Sequence, residues 1–334
     1  MQGRLGRWLK FLLALAVSIA FSALFLLSTD LGEVADALAS ADYLYVVPGL
    51  ALFVVSVVAR AVRWQYMFRP RDIPWPGLLP SLLVGYAGNN LLPLRAGELL
   101  RAQHLADRAA VPRMVTFGTF IMERLFDFMV LSTFVLWGVL LSDVSGAYLG
   151  LALLLAGGTA SGFVVALVLA RRPALLSKLT ARPWPLVPER IRLELGSLTE
   201  SFFSGFSCLT SLRRFLIVAL MTAVAWGFEL SMYWVVSEAF ALGAGFITIA
   251  FAGAAANVAM SVPSAQGGVG PFQYYAREAL LRFDVAGPAA AAYAVALHIF
   301  LVAPVSLVGL LVLWRSTLPS SAAKPAVAEG AEQR

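Results

Sequence analysis

The chain has 334 residues, of which 60% are hydrophobic and only 13% are charged, with a formal net charge of +6 at pH 7. Soluble globular domains carry about a quarter charged residues, so this composition excludes that class and predicts an all-α, polytopic integral membrane protein. The single cysteine excludes an internal disulfide, and the two histidines of the chain are too few and too distant in sequence to suggest a metal site. The positive charge indicates flanks that face an anionic membrane surface rather than nucleic acid.

The first two apolar runs are predicted to form a pair of crossings. Phe11–Thr29 follows basic residues and is long for a signal peptide, so we interpret it as a retained first helix. An acidic loop follows, and the second run, Tyr43–Ala59, ends in a group of arginines that indicates a cytoplasmic flank. Those arginines are Arg60, Arg63, Arg69 and Arg71. The chain therefore starts inside, crosses outward and returns.

The next apolar segment, Ile73–Leu94, is uncharged but is interrupted by four prolines. Proline removes a backbone donor and kinks a helix, so a simple crossing is disfavoured. Basic residues lie on both sides of the segment, which predicts that it enters the membrane and returns to the same side. We therefore expect a broken, re-entrant element here.

The rest of the chain is predicted to form four crossings, one interfacial helix and a second broken segment. Apolar side chains recur at helical spacing over residues 187–209, with charges between them, which is typical of an amphipathic helix in the membrane interface. The crossings are Leu125–Leu141, Ala147–Ala170, about 213–236 and Ala289–Trp314, and the broken segment is Ala239–Ala276. This gives eight apolar segments in one membrane domain, residues 1–315, with cytoplasmic termini and a disordered tail at 316–334.

The two broken segments share small residues, asparagine and a proline followed four residues later by glycine, which suggests an inverted repeat, although so short a match also arises by chance. Helices that begin near Gly97 and Gly270 would direct free N–H groups into a cavity, where arginines would add charge. This predicts a pocket for a phosphate headgroup; the alternative is that the asparagines only satisfy broken backbone. The candidate binding residues are Asn89, Asn90, Arg95, Glu98, Arg101, Asn257, Ser264, Gly267 and Gly268.

Four charges lie within apolar stretches: Glu123, Arg124, Asp127 and Glu229. Unpaired charges at the bilayer centre are costly, so we expect the first three to face the bundle and pair with one another or with Arg95 and Arg101. Glu229 is predicted either to be protonated and hydrogen-bonded or to meet a cation from another segment. A gating or coupling role is the functional hypothesis for all four, and a structural salt bridge is the alternative.

Three motifs carry a resemblance to a known family: NNLLPLRAGELLRA at 89–102, MERLFD at 122–127 and SVPSAQGGVGPFQ at 261–273. With these motifs the chain resembles the membrane region of lysylphosphatidylglycerol synthases, a flippase-like family also called uncharacterised protein family 0104. The resemblance implies a bacterial or archaeal membrane protein that moves or handles lipids. Synthases of this kind carry a soluble aminoacyl-transfer domain after the membrane region. The chain ends about twenty residues after its last predicted crossing, so we expect it not to be an enzyme.

These observations favour a translocase of the cell membrane that moves an anionic or aminoacylated phospholipid, or a polyprenyl-phosphate lipid, between leaflets. No cofactor is expected, and a separately encoded lipid-modifying enzyme is a candidate partner. One alternative is a membrane-embedded lipid-modifying transferase or its accessory subunit. The other is a small-solute transporter, which the expected cavity alone does not exclude.

Overall fold

The computed structural model describes residues 2–92, 96–141, 147–172, 189–261 and 266–317, and every regular element within them is helical. Short 3₁₀ turns at Tyr43–Tyr45, Ser207–Thr210 and Gln266–Gly268 connect some of the helices. The α-helices are, in chain order, α1 (Gln2–Leu27), α2 (Leu31–Ser40), α3 (Val46–Phe68), α4 (Trp75–Leu91), α5 (Gly97–Ala109), α6 (Arg113–Leu141), α7 (Ala147–Arg171), α8 (Glu189–Ser204), α9 (Leu212–Glu238), α10 (Phe246–Met260), α11 (Pro271–Leu281) and α12 (Gly287–Thr317).

The acidic stretch after the first apolar run is a helix rather than a loop. Asp30 caps α2 by accepting hydrogen bonds from the backbone N–H groups of Gly32 and Glu33 at 2.8 and 3.3 Å. A side-chain oxygen at this position satisfies donors that have no partner inside the helix. The apolar part of α1 and the whole of α2 therefore form a pair of helices bent by 84°.

Helix α3 continues nine residues beyond the predicted end of its apolar run at Ala59. Arg60 and Arg63 are consequently inside the helix and buried, not in a cytoplasmic flank as we expected. The reason is the apolar face that follows them, because Trp64 and Met67 are fully buried and extend the packing of α3. Among the described residues, the most extensive packing between two helices joins this helix to α9.

Both predicted breaks are present, and each produces a helical hairpin. Helix α4 ends at Leu91 and packs against α5, and α10 ends at Met260 and packs against α11. Pro93 and Pro263, which we expected at the two breaks, lie outside the described residues. The helices on either side still show that neither segment is one continuous crossing.

Eight apolar segments were predicted, and the described residues contain fewer helices that are long and apolar enough to cross a membrane. Four qualify: Tyr43–Phe68, Ala152–Arg171, Leu212–Glu238 and Gly287–Ser316; the bent pair α1–α2 makes a fifth. The number is lower because α4 and α10 have only 17 and 15 residues, as halves of hairpins. The central part of α6 carries three charges. The protein is nevertheless an all-helical, polytopic membrane protein.

The distribution of side chains is reversed relative to that of a soluble protein. Leu154, Leu220 and Leu307 are 71%, 59% and 63% exposed on the outside of long helices, whereas Arg63 and Glu229 are 2% and 6% exposed. Leucines that face outward are favourable in lipid, and charges within membrane helices face the interior of the bundle. The charged residues of the long helices are therefore where a functional site is expected.

Two further predicted regions have a structural counterpart. The amphipathic stretch forms α8, Glu189–Ser204, which packs against α6, and the 3₁₀ turn Ser207–Thr210 follows it. The last helix extends to Thr317. The expected tail at 316–334 therefore loses its first two residues to α12, and the remainder lies outside the described residues.

Candidate functional site: a charged cavity between two hairpins

The turn of the first hairpin depends on glycine. Helix α5 begins at Gly97, where an added Cβ atom would lie 2.1 Å from the carbonyl oxygen of Gly85 and 2.2 Å from the amide nitrogen of Asn89. No real Cβ atom approaches other atoms so closely, so only glycine allows α5 to pack this tightly on α4. The close packing fixes Asn89 and Asn90 at the end of α4, beside the turn.

The turn of the second hairpin is held by a histidine from α12. Gly267 has a φ of +66°, a left-handed conformation that glycine adopts readily. Its carbonyl oxygen is 2.9 Å from Nε2 of His298, and Nδ1 of His298 is 2.6 Å from Nε2 of Gln273. A carbonyl oxygen only accepts, so Nε2 of His298 donates to it. The amide nitrogen of Gln273 only donates, so Nδ1 of His298 accepts from it. These two roles assign the neutral imidazole. Oε1 of Gln273 in turn accepts the N–H of Gly270 at 2.9 Å.

The two hairpins meet at Asn90. A Cβ atom added to Gly267 would lie 3.4 Å from the carbonyl oxygen of Asn90, so the turn of the second hairpin touches the end of α4. The side-chain amide of Asn90 also donates to the hydroxyl of Ser306 on α12 at 3.1 Å. Asn90 therefore links the first hairpin, the second hairpin and the last long helix.

A cavity of about 170 Å³ lies beside this junction, with walls from α3, α4, α6, α9, α10 and α12. A space of this size holds several water molecules or a phosphate-sized group. About half of its lining residues are apolar, and the others are polar or charged. These are Arg60, Tyr86, Asn90, Arg124, Asp127, Glu229, Asn257, Ser261 and His298.

Arg60 and Glu229 form the central ion pair of the cavity. Nη2 of Arg60 is 2.6 Å from Oε2 of Glu229, and the two side chains are 11% and 8% exposed. The same carboxylate accepts from the hydroxyls of Ser56 at 3.2 Å and Tyr233 at 3.0 Å. The amide of Asn257 donates to the Tyr233 hydroxyl at 3.0 Å. Glu229 thus meets a cation from another segment, one of the two arrangements expected from the sequence.

Asp127 is the second carboxylate near Arg60, and it accepts hydrogen bonds from two other side chains. Oδ1 of Asp127 is 2.5 Å from Nη1 of Arg63, and it accepts the indole N–H of Trp226 at 2.9 Å. Nη1 of Arg60 is farther from the same oxygen, at 3.9 Å. The guanidinium of Arg60 lies 4.7 Å from the centre of the Trp226 ring. Arg60 therefore stands between two carboxylates but is firmly bound to only one.

A smaller chamber of about 40 Å³ adjoins the cavity and contains a second buried pair. Arg101 binds Glu123 through two hydrogen bonds of 2.8 Å, and its guanidinium lies 3.5 Å from the centre of the Trp64 ring. This two-pronged geometry gives both terminal nitrogens of the guanidinium a carboxylate partner, whereas its buried Nε has no hydrogen-bond partner. Arg101, which we predicted to bind a phosphate, is therefore engaged by Glu123 and by aromatic rings.

The pair formed by Glu98 and Arg124 differs from the buried ones. Its Nη2–Oε1 distance is 3.2 Å, and the side chains are 33% and 45% exposed. Arg124 lines both the cavity and the small chamber. Exposed pairs contribute about 0–1 kcal/mol, so this pair opens at little cost compared with the buried ones.

The predicted residues fall into four groups. Asn90, Arg124, Asp127, Glu229 and Asn257 line the cavity. Asn89, Glu98, Arg101 and Glu123 line the adjoining chamber, and Gly267 and Gly268 form the second turn. Arg95 and Ser264 lie outside the described residues.

Arg60, Arg63 and His298 are site residues that the sequence reasoning missed. The two arginines are three residues apart and thus on one helical face, and the apolar stretch around Trp64 and Met67 that follows them indicates that the helix continues. This pattern would have placed Arg60 and Arg63 inside a helix. His298 stands alone in an apolar run, so nothing near it in the sequence indicates its partners. Within the described residues, no group of three or more His, Cys, Asp or Glu side chains is placed to hold a metal ion.

A protein-family model described as "Lysylphosphatidylglycerol synthase TM region" matches residues 11–309. The chain belongs to this family. The family match agrees with the resemblance carried by the three sequence motifs, and it supports a multi-pass membrane protein. No solved structure matches the chain.

Two curated relatives of this family member match parts of the chain. It is 28% identical over 165 residues to the glycosyltransferase AglD of Haloferax volcanii, which covers 48% of this chain and 26% of AglD. It is 33% identical over 117 residues to a UPF0104 membrane protein of Methanothermobacter thermautotrophicus, covering 33% of this chain and 35% of that protein. The chain thus spans about a quarter to a third of the curated relatives it matches.

These matches correct one expectation. We expected a protein that is not an enzyme, and that expectation is wrong, because the family is named for synthases and one named relative is a glycosyltransferase. A transferase-related role therefore has to be considered together with lipid movement.

Proposed function

We propose that the chain binds the phosphate of a lipid headgroup in the cavity and moves that headgroup across the membrane. The observation that supports this most directly is the position of Arg60, a buried arginine in a cavity where two helical hairpins meet. Broken helices at membrane depth are typical of transporter binding sites, and arginine is well suited to phosphate. The acyl chains would stay in the lipid while the headgroup enters the cavity.

Among the buried arginines of the site, Arg60, Arg63 and Arg101, we propose Arg60 as the phosphate ligand. Arg63 and Arg101 are held by Asp127 and Glu123 through their terminal nitrogens. Arg60 has only one short ionic contact, between its Nη2 and Glu229, and its Nη1 is 3.9 Å from Oδ1 of Asp127. It also lines the cavity directly. A phosphate would therefore compete for Arg60 with one carboxylate only.

The first experiment measures lipid movement in liposomes that contain the purified protein and a fluorescent phosphatidylglycerol or polyprenyl phosphate. A membrane-impermeant quencher reports the label in the outer leaflet over time. Arg60→Gln is expected to slow exchange about 10- to 100-fold, the effect of losing a hydrogen bond to a charged group. Arg71→Gln removes the same charge from an exposed loop and is expected to leave the rate unchanged.

Arg60→Gln also leaves Glu229 without its cation, so a second variant separates binding from folding. Arg60→Gln combined with Glu229→Gln removes both charges of the pair and leaves no buried unpaired carboxylate. If this double variant folds and still exchanges lipid at the wild-type rate, Arg60 is not the phosphate ligand. Uptake of a soluble anion with no effect on lipid would instead identify a small-solute transporter.

A transferase role is the second candidate, and the match to a glycosyltransferase favours it. Asp127 and Glu229 are the carboxylates of the cavity that would lie near a bound headgroup. The test incubates the protein with polyprenyl phosphate and a nucleotide sugar and analyses the lipid by mass spectrometry. A lipid that gains one sugar with wild type, and not with Asp127→Asn, supports a transferase; unmodified lipid contradicts it. The same assay, repeated with a separately encoded lipid-modifying enzyme, tests the proposed partner.

We also place the protein in the cell membrane with both termini in the cytoplasm. The support for this orientation is the distribution of arginines, which accumulate at one end of successive helices. Fusing a reporter that fluoresces only in the cytoplasm to either terminus tests it. A dark fusion at either end would contradict the orientation.

A further inference from the structure

We infer that Glu229 is the binding site of a monovalent cation, either a proton or Na⁺, that enters the cavity together with the lipid phosphate. This inference rests on the proposed function, because it describes what happens at the same site when a phosphate binds. It adds a second ligand and a source of energy to lipid movement.

The charges of the cavity provide the first step of the argument. Its described lining contains two arginines, Arg60 and Arg124, and two carboxylates, Asp127 and Glu229, so their formal charges cancel. A phosphate that enters brings at least one additional negative charge. An uncompensated charge in a site of low dielectric constant is strongly disfavoured, so a positive charge must accompany it.

The contacts of Arg60 identify the group that loses its partner. When Arg60 turns towards a phosphate, Asp127 keeps both Arg63 and the indole N–H of Trp226. Glu229 keeps only the hydroxyls of Ser56 and Tyr233, which carry no charge. Of the two carboxylates, Glu229 is therefore the one left with an uncompensated charge.

The surroundings of Glu229 suit a small cation. Ser56 and Tyr233 place hydroxyl oxygens 3.2 and 3.0 Å from the carboxylate, and hard cations prefer such oxygen ligands. The same hydroxyls accept a hydrogen bond from a protonated carboxyl group after a simple rotation. Asn257 donates to the Tyr233 hydroxyl and holds the tyrosine in place. Proton and Na⁺ thus use one site, and experiment distinguishes them.

Other charged or titratable groups face the same cavity but are not the site. Tyr86 comes from α4, Asp127 and Arg124 from α6, and His298 from α12. His298 already donates through Nε2 and accepts through Nδ1, so both of its ring nitrogens are occupied by the second hairpin. Arg124 pairs with Glu98 at the exposed edge. None of these contacts supplies a cation to Glu229 once Arg60 has moved.

The test uses liposomes with the full-length protein and fluorescent phosphatidylglycerol, in which either a pH gradient or a Na⁺ gradient is imposed. The measured quantity is the steady-state distribution of label between leaflets. A tenfold gradient of the coupling cation is expected to move the label towards the leaflet facing the lower cation concentration. The limit for one cation per lipid is a distribution of about tenfold. The gradient that has this effect identifies the cation.

Three variants locate the effect. Glu229→Gln is expected to give the same distribution with and without either gradient, together with slower exchange. Glu200→Gln makes the same change at an exposed position of α8 and is expected to behave like wild type. If Glu229→Gln does not fold, Tyr233→Phe removes one hydroxyl from the site, and a smaller shift of the label supports the inference. A shift equal to that of wild type overturns it.

The outcomes separate this inference from the proposed function. If wild type exchanges lipid faster than empty liposomes but gives an even distribution under both gradients, the cation site is wrong and lipid movement stands. If Glu229→Gln responds to a gradient as wild type does, the site is also wrong. If wild type does not move lipid at all, both proposals fall.

Discussion

The clearest stability prediction concerns the buried pair of Arg101 and Glu123. Glu123→Gln removes the charge that neutralises Arg101, whose side chain is only 6% exposed. The guanidinium would remain enclosed by Trp64 and Phe120, with ring centres at 3.5 and 4.7 Å. Breaking a buried ion pair by removing one partner costs about 3–5 kcal/mol of the free energy of unfolding.

Glu98→Gln is the matched control, because it makes the same substitution in an ion pair whose side chains are 33% and 45% exposed. Exposed pairs contribute about 0–1 kcal/mol, so the expected loss is several times smaller. The free energy of unfolding is measured by titrating a denaturing detergent into mixed micelles and following tryptophan fluorescence. Arg101→Met combined with Glu123→Leu removes the whole pair and is expected to recover most of the stability lost in Glu123→Gln.

Two results would refute this reasoning. Equal losses in Glu123→Gln and Glu98→Gln would mean that burial does not determine the contribution of these pairs. The second is a Glu123→Gln protein that has normal stability but no longer moves lipid. That result would indicate that Arg101 binds the phosphate, as the sequence suggested.

Three other predictions follow from single contacts. Gly97→Ala forces a Cβ atom against Gly85 and is expected to destabilise the first hairpin by about 3 kcal/mol in the same unfolding titration. Gly157→Ala is the control: its Cβ atom would have no other atom within 4 Å, so it should be neutral or slightly stabilising. His298→Leu leaves the Gly267 carbonyl without its donor and is expected to cost about 1–3 kcal/mol and to slow lipid exchange; an unchanged rate would separate the second turn from function. Burial raises the pKa of the Cys208 thiol to about 12, so a maleimide at pH 8 is expected to label it only after denaturation, and rapid labelling of the folded protein would contradict the packing of this turn.

The helical class and both breaks were predictable because their signals are local. Long uncharged runs are typical of membrane-spanning helices, and clustered prolines and glycines favour a break. Pro80 and Pro304, by contrast, lie inside continuous helices. Helices that end at Leu91 and Met260 agree with those signals. The acidic stretch after α1 was wrongly predicted to be a loop because of its charges. It forms the short helix α2, and the signal for that helix is a single capping side chain, Asp30.

The partners within the site were less predictable because they are distant in the sequence. Arg60 was assigned to a flank, since arginines at the end of an apolar run are usually cytoplasmic anchors. Its partner Glu229 is 169 residues away, and no local pattern connects them. The pairing of Arg101 with Glu123 agrees with the expectation that the charges of α6 pair within the bundle. The same pairing shows why a charge near a break is not automatically a ligand.

The pairing of α3 with later helices has a consequence for biosynthesis. Arg63 and Arg60 are made 64 and 169 residues before the carboxylates that neutralise them. At a translation rate of about 5–20 residues per second, Arg60 waits roughly 10–30 s for Glu229 to leave the ribosome. Inserting an arginine at the centre of a helix costs about 2.5–3.5 kcal/mol. A nascent chain that stops before α9 thus holds an α3 in which Arg60 has no Glu229 to pair with, and we expect this helix to reach its final position in the bilayer only after α9 has been made.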